Sequence, residues 1–164
     1  MKPDYKLVAK AKYVQLTAAT AEEIYRECNK KIYPTKKQMD YMVNLTQSLE
    51  AIEEQQDKDI NYFLVFLGGK EVGYFAWEMY NTALHLNHLY LKPEYRGKAI
   101  GRGILQYCER LARSDGKSRI VFQVPCKSLR ALHFFKDRGY RQVREVEMSY
   151  GEFTSLEFEI EKKL

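Results

Sequence analysis

The chain has 164 residues, a formal net charge of +5 at pH 7, 45% hydrophobic residues and 13% aromatic residues. That apolar share excludes a disordered chain, the length suits one domain over residues 1–164, and no apolar run approaches the roughly 18 residues of a membrane span. Cys28, Cys108 and Cys126 lack CxxC or histidine-rich spacing, so reduced thiols and no metal site are expected, and a start without a signal-peptide core makes a cytoplasmic chain the expectation.

"KLVAKAKYVQL" alternates in part and predicts a first strand over Lys6–Leu16. Thr20 and Glu23 stand at capping-box spacing, which predicts a helix from about Ala21. Thr35 and Gln38 repeat that spacing after Pro34, and Met39, Met42, Val43 and Leu45 follow at helical intervals. Ser48 opens a further helical stretch, "LEAIEEQQ", ending before Asp59. These polar, methionine-containing helices read as a lid packed on one side only.

From Asn61 the pattern turns aromatic and β-branched. "NYFLVFL" and "VGYFAWEMY" flank Gly68-Gly69, the strongest hairpin signal in the chain. A third strand, Leu84–Leu91, follows a turn at Asn81-Thr82. A helix over Ile100–Ser114 ends at Gly116, a strand "RIVFQV" follows, and Ser128 opens a helix that Gly139 ends. Two strands, Tyr140–Val146 and Phe153–Ile160, complete an α/β (α+β) order: a mixed, mostly antiparallel sheet of about seven strands, flanked by helices on both faces.

The stretch "YLKPEYRGKAIGRGIL" carries the chemistry. The first amides of a helix have no internal partners and carry partial positive charge. Glycines at Gly97 and Gly101 let an oxyanion approach that backbone, with Arg96, Lys98 and Arg102 beside it. Phosphate or pyrophosphate is the natural guest. The phosphate-loop pattern GxxxxGK[ST] is absent, and the dinucleotide pattern GxGxxG fails on spacing. Nucleic acid has only the net charge in its favour, so it is not the expected partner; solvated arginines at a helix entry are the bland alternative.

"LYLKPEYRGKAIGRGIL" resembles motif A of the GNAT N-acetyltransferase superfamily, [QR]-x-x-G-x-[GA], with Arg96 first, Ala99 at the usual central glycine and Gly101 last. "ALHFFKDRGY" resembles the family's motif B, and the element order agrees. The resemblance implies that an amine attacks the thioester of acetyl-coenzyme A directly in a ternary complex, with no metal and no membrane partner. Leu89, Tyr90, Leu91, Arg96, Gly97, Lys98, Ala99, Ile100, Gly101, Arg102, Ser128 and Phe135 map onto the cofactor-binding positions.

On the same resemblance, the backbone at Leu91 donates to the oxyanion. His85, with Asn87 and His88 nearby, takes the place of the Glu or His that relatives use as general base. Ser128 and Phe135 replace the family's Asn and Tyr, so Tyr140 becomes the substitute acid, with Tyr107 and Tyr150 as other options. Thr20–Asp57 forms part of the acceptor pocket. "QSLEAIEEQ" before "YFLVFL" resembles spermidine-type acetyltransferases, where Glu22, Glu23, Glu50, Glu53 and Glu54 would meet a polyamine; a solvated helix face explains them equally. Relatives that dimerise through their sheets make a homodimer one expected arrangement. The altered Asn, Tyr and Gly motivate an alternative, a coenzyme A-binding sensor or interaction module without turnover.

Overall fold

A computed structural model describes all residues, Met1–Leu164. Strand β1 (Asp4–Leu7) leads into α1 (Ala11–Asn29), α2 (Lys36–Gln47) and α3 (Leu49–Asp57). Strands β2 (Asn61–Leu67), β3 (Lys70–Met79) and β4 (Ala83–Leu91) follow, then a 3-10 turn at Pro93–Tyr95 and α4 (Ile100–Ser114). Strand β5 (Arg119–Pro125), α5 (Leu129–Lys136), β6 (Arg141–Tyr150) and β7 (Phe153–Lys163) complete the order. The strands form one seven-stranded sheet in the order β1-β2-β3-β4-β5-β7-β6, mostly antiparallel, with β4 and β5 parallel. No helix is long and apolar enough to cross a membrane.

The chain groups into two compact units: Met1–Glu78 with Asn87–Gly101, and Met79–Leu86 with Arg102–Leu164. In the first, Val14, Ala21 and Ile24 of α1 and Ile52 of α3 bury their side chains in one core with Tyr62, Leu64, Tyr74 and Ala76 of β2 and β3. In the second, α4 buries Ile104, Leu105, Cys108 and Ala112, a stripe at helical spacing, while β5 buries Ile120, Val121 and Val124.

The first strand is shorter than the sequence predicts. Asp4–Leu7 is extended and α1 already starts at Ala11, so Thr20 is a buried mid-helix residue and no cap. Val14, Thr17, Ala21 and Ile24 are all buried at three- and four-residue intervals, which is the signal that overrides the partial alternation. The true N-cap, Lys10, makes no side-chain cap bond, so nothing local marks the start. Thr35 and Ser48 do cap: their hydroxyls accept from the amides of Gln38 (3.2 Å) and Ala51 (3.1 Å). At the far end, β6 and β7 run past the predicted limits, to Tyr150 and Lys163.

Strand β3 carries a bulge. Val65 pairs with Gly73 but Phe66 pairs with Glu71, leaving Val72 as the extra residue. A Cβ on Gly73 would lie 2.4 Å from the carbonyl oxygen of Tyr90 and 3.2 Å from Cα of Leu91. Only glycine permits that approach. The amide of Lys92 donates to the carbonyl of Val72 (2.9 Å), which anchors the end of β4 just before the loop.

Candidate active site

After β4 the chain makes a tight entry to α4. Tyr95 and Arg96 donate backbone hydrogen bonds to the carbonyls of Lys92 (3.0 Å) and Pro93 (3.2 Å). Gly97 and Ala99 then adopt left-handed backbone conformations, with φ of +72° and +65°. This explains why a glycine suits position 99: a Cβ is strained there, and Ala99 carries that strain. A Cβ built on Gly97 meets no atom within 4 Å, so the backbone is open to a guest. Lys98, within the turn, and Arg102, in the first turn of α4, are exposed, while Ile100 is buried and seats that first turn. Open backbone, unpaired first-turn amides and two exposed cations fit a phosphate-bearing ligand.

Arg96 does something other than point a side chain at that guest. Its Nε and Nη2 donate to the carbonyl of Leu91 (3.0 and 2.8 Å), and Nη2 also meets Glu27 Oε2 and Cys28 Sγ, each at 2.7 Å. The guanidinium thus straps the loop to α1 and to the last residue of β4. The bond from Arg96 holds the Glu27 carboxyl below its ordinary value, with burial opposing.

A polar network lies behind β4, and the sequence reading missed its centre. Gln55 Nε2 donates to the carbonyl of Thr46 (3.1 Å), and Gln55 Oε1 accepts from the Tyr62 hydroxyl (2.7 Å). His88 Nε2 lies 3.0 Å from the same oxygen. The Tyr74 hydroxyl donates to Gln47 Oε1, and Gln47 Nε2 donates to Thr46 Oγ1 (3.0 Å). Burial pushes the Tyr62 and Tyr74 phenols far above their ordinary value, with Tyr90 adding to the rise. The available signal was a polar residue on an apolar stripe: Gln55 continues the buried Ala51–Ile52 face of α3, and Gln47 the Met39–Met42–Val43 face of α2.

His85 is half-buried, with its ring 5.6 Å from that of Tyr80. Tyr90 packs edge-on to Tyr25 (5.7 Å) and beside Tyr74 (5.5 Å). Ser128 is the N-cap of α5 but makes no side-chain cap bond. Phe135 is buried among Phe122, Phe134 and Tyr140, with centroids 4.9–5.2 Å away. The Tyr140 hydroxyl donates to buried Glu109 (3.2 Å), which also accepts from Lys162 (3.1 Å). Burial and the Glu109 carboxylate raise the Tyr140 phenol far above its ordinary value. Burial, then Glu145 and Glu157, raise the Cys126 thiol, the reverse of an activated nucleophile. Glu22, Glu23, Glu50, Glu53 and Glu54 all stand on exposed helix faces.

The family model described as "Acetyltransferase (GNAT) family" matches residues 19–140, and the chain belongs to that family. It is 32% identical over 74 residues to thialysine N-epsilon-acetyltransferase of Bos taurus, a match covering 45% of this chain and 42% of that relative's length. Among solved structures, PaiA N-acetyltransferase from Thermoplasma acidophilum, in complex with coenzyme A, has a TM-score of 0.80 at 20% identity over 100% of both chains. A GCN5-related N-acetyltransferase from Rhodopseudomonas palustris has a TM-score of 0.82 at 18% identity, covering 100% of this chain and 97% of that one. These two likenesses place the fold.

Proposed function

We propose that the protein transfers the acetyl group of acetyl-coenzyme A to a primary amine by direct attack. The observation that carries this reading is the left-handed turn at Gly97 and Ala99, which leads into α4 with Lys98 and Arg102 exposed. Pyrophosphate would lie on the backbone of Arg96–Gly101, drawn by amides and cations together. Leu89–Leu91 would run beside the pantetheine, and the Leu91 amide would receive the thioester oxygen as negative charge develops on it. Arg96 holds the Leu91 carbonyl, which belongs to the next peptide along, so the end of β4 beside that amide is fixed before the substrate arrives.

The chemistry needs a proton acceptor: the alkylammonium that prevails at neutral pH sheds its first proton to water, and the attacking nitrogen sheds a second as its bond to the acetyl carbon forms. An imidazole of β4 supplies it, and His85 and His88 are the two on that strand. The nitrogen–carbon bond forms, the carbon–sulfur bond breaks, and the thiolate takes its proton from solvent. Phe135 has no proton to give, and the Tyr140 hydroxyl is committed to Glu109. The name of the bovine relative makes aliphatic side-chain amines the first acceptors to try.

The test is calorimetric titration with coenzyme A, followed by acetyl-coenzyme A turnover with thialysine, lysine and spermidine, reading the N-acetyl product by mass spectrometry. Wild type is expected to bind and to turn over at least one amine. Gly101→Asp, which sets a carboxylate at the start of α4, is expected to weaken coenzyme A binding at least tenfold, the scale of ~1.4 kcal/mol, with an unchanged circular dichroism spectrum. Binding without turnover on any amine would overturn the enzyme reading in favour of a sensor. Unchanged affinity in Gly101→Asp would overturn the phosphate assignment.

A further inference from the structure

Histidine chemistry depends on which ring nitrogen carries the proton, and here the surrounding bonds decide it. Gln55 Nε2 donates to the Thr46 carbonyl (3.1 Å), so the orientation of the Gln55 amide is fixed and Oε1 is the atom that faces the sheet. That oxygen accepts from the Tyr62 hydroxyl at 2.7 Å. It has no proton to offer, so the His88 Nε2 atom 3.0 Å away must be the N–H donor. A neutral His88 therefore keeps its basic lone pair on Nδ1.

We infer that Gln55 is a positioning residue that locks His88 as the Nε2–H tautomer, making Nδ1 of His88 the proton acceptor of the transfer. The inference rests on the acetyl-transfer reading above. His88 stands one residue before Leu89–Leu91, the stretch assigned to the thioester. Gln55 of α3, Tyr62 of β2, Tyr74 of β3 and Tyr90 of β4 face its ring, with ring centroids 5.5, 6.1 and 6.3 Å away for the three tyrosines in that order. Burial holds Tyr62 and Tyr74 as neutral phenols, so neither competes for the proton.

In the step itself, the attacking amine forms its bond to the acetyl carbon and gives a proton to Nδ1, the sulfur leaves with its bonding electrons, and solvent protonates it. The imidazolium that forms keeps the Nε2–H···O bond to Gln55 throughout, so no regrouping of neighbours accompanies the transfer. The proton then passes to water and the cycle closes. Thr46 serves the same end from one bond further out, because its carbonyl is what stops the Gln55 amide from flipping.

Nitrogen-15 correlation spectra of the imidazoles test this without any substrate. The chain has three histidines, and single His→Gln variants assign them. Wild-type His88 is expected as Nε2–H alone, Gln55→Glu is expected to keep that tautomer because a carboxylate still accepts, and Gln55→Leu is expected to give a mixture. On acetyl transfer, Gln55→Glu should move the acidic limb of the pH–rate profile upward, and His88→Ala should lower kcat about 100-fold and abolish that limb. An Nδ1–H tautomer in wild type, or an unmoved tautomer in Gln55→Leu, overturns the positioning role whatever the activity. A limb that survives His88→Ala but falls with His85→Ala overturns the base assignment alone. A protein that turns over no amine defeats the acetyl-transfer reading and the base assignment with it, while the spectra still decide whether Gln55 sets the tautomer.

Discussion

Ala99 shows how one methyl group carries a conformational load. Its φ of +65° is a region that side chains resist, at about 1 kcal/mol for alanine. Ala99→Gly removes the Cβ contact but returns some freedom to the unfolded chain, so stability should change by no more than about 1 kcal/mol. Coenzyme A affinity should rise, since the loop backbone then meets phosphate without the methyl; paired melting curves and titrations check both. Glu157 illustrates a different burden. It is 5% exposed, accepts from the Tyr150 hydroxyl (3.1 Å), and burial raises its carboxyl above the ordinary value. The folded state thus binds that proton more tightly than the unfolded state, so the charged form detracts from stability above the raised value. The penalty fades as pH falls through it towards the ordinary carboxylate range. Glu157→Gln keeps an acceptor for Tyr150 and removes the charge, so it should melt higher than wild type at neutral pH and converge with it in acid. At this scale residue types were legible and directions were not: the sequence marked Arg96, but its guanidinium turns to Leu91 and Glu27, a choice made by residues distant in the chain.

Among the elements, the bulge at Val72 governs where β4 ends. Gly73→Ala would press a Cβ to 2.4 Å from the Tyr90 carbonyl, and relief requires moving the strand that the proposed site uses. Such overpacking costs on the order of 1–3 kcal/mol. Chemical denaturation should show that loss, and KM for acetyl-coenzyme A should rise with it. Element signals were read well where chemistry is local: hydroxyl caps at Thr35 and Ser48, the Gly68-Gly69 hairpin, and the full extent of α4. They failed where it is not. Helix α1 begins without a cap bond, and its identity rests on Val14, Ala21 and Ile24 reaching β2 and β3, strands almost forty residues or more away. The exposed, charge-rich β6 owes its full length to pairing with β7 from Arg141 to Tyr150.

For the whole molecule, the order of strands and helices was the most legible property, because each period and turn signal constrains the next. The family followed from two motifs at the right separation, and the match over residues 19–140 agrees. The Gln55–His88 pair was not legible, since thirty-three positions of sequence separate atoms that meet only when α3 covers the sheet. The sheet order also sets a timetable for synthesis. Strand β7 lies between β5 and β6, pairing with β5 from Arg119↔Lys163 to Pro125↔Glu157. A ribosome must therefore extrude Phe153–Lys163 before Arg119–Pro125 acquires its antiparallel neighbour, and until then that apolar strand waits with an open edge. Nascent chains stalled ahead of Phe153 are the ones that would call on chaperones.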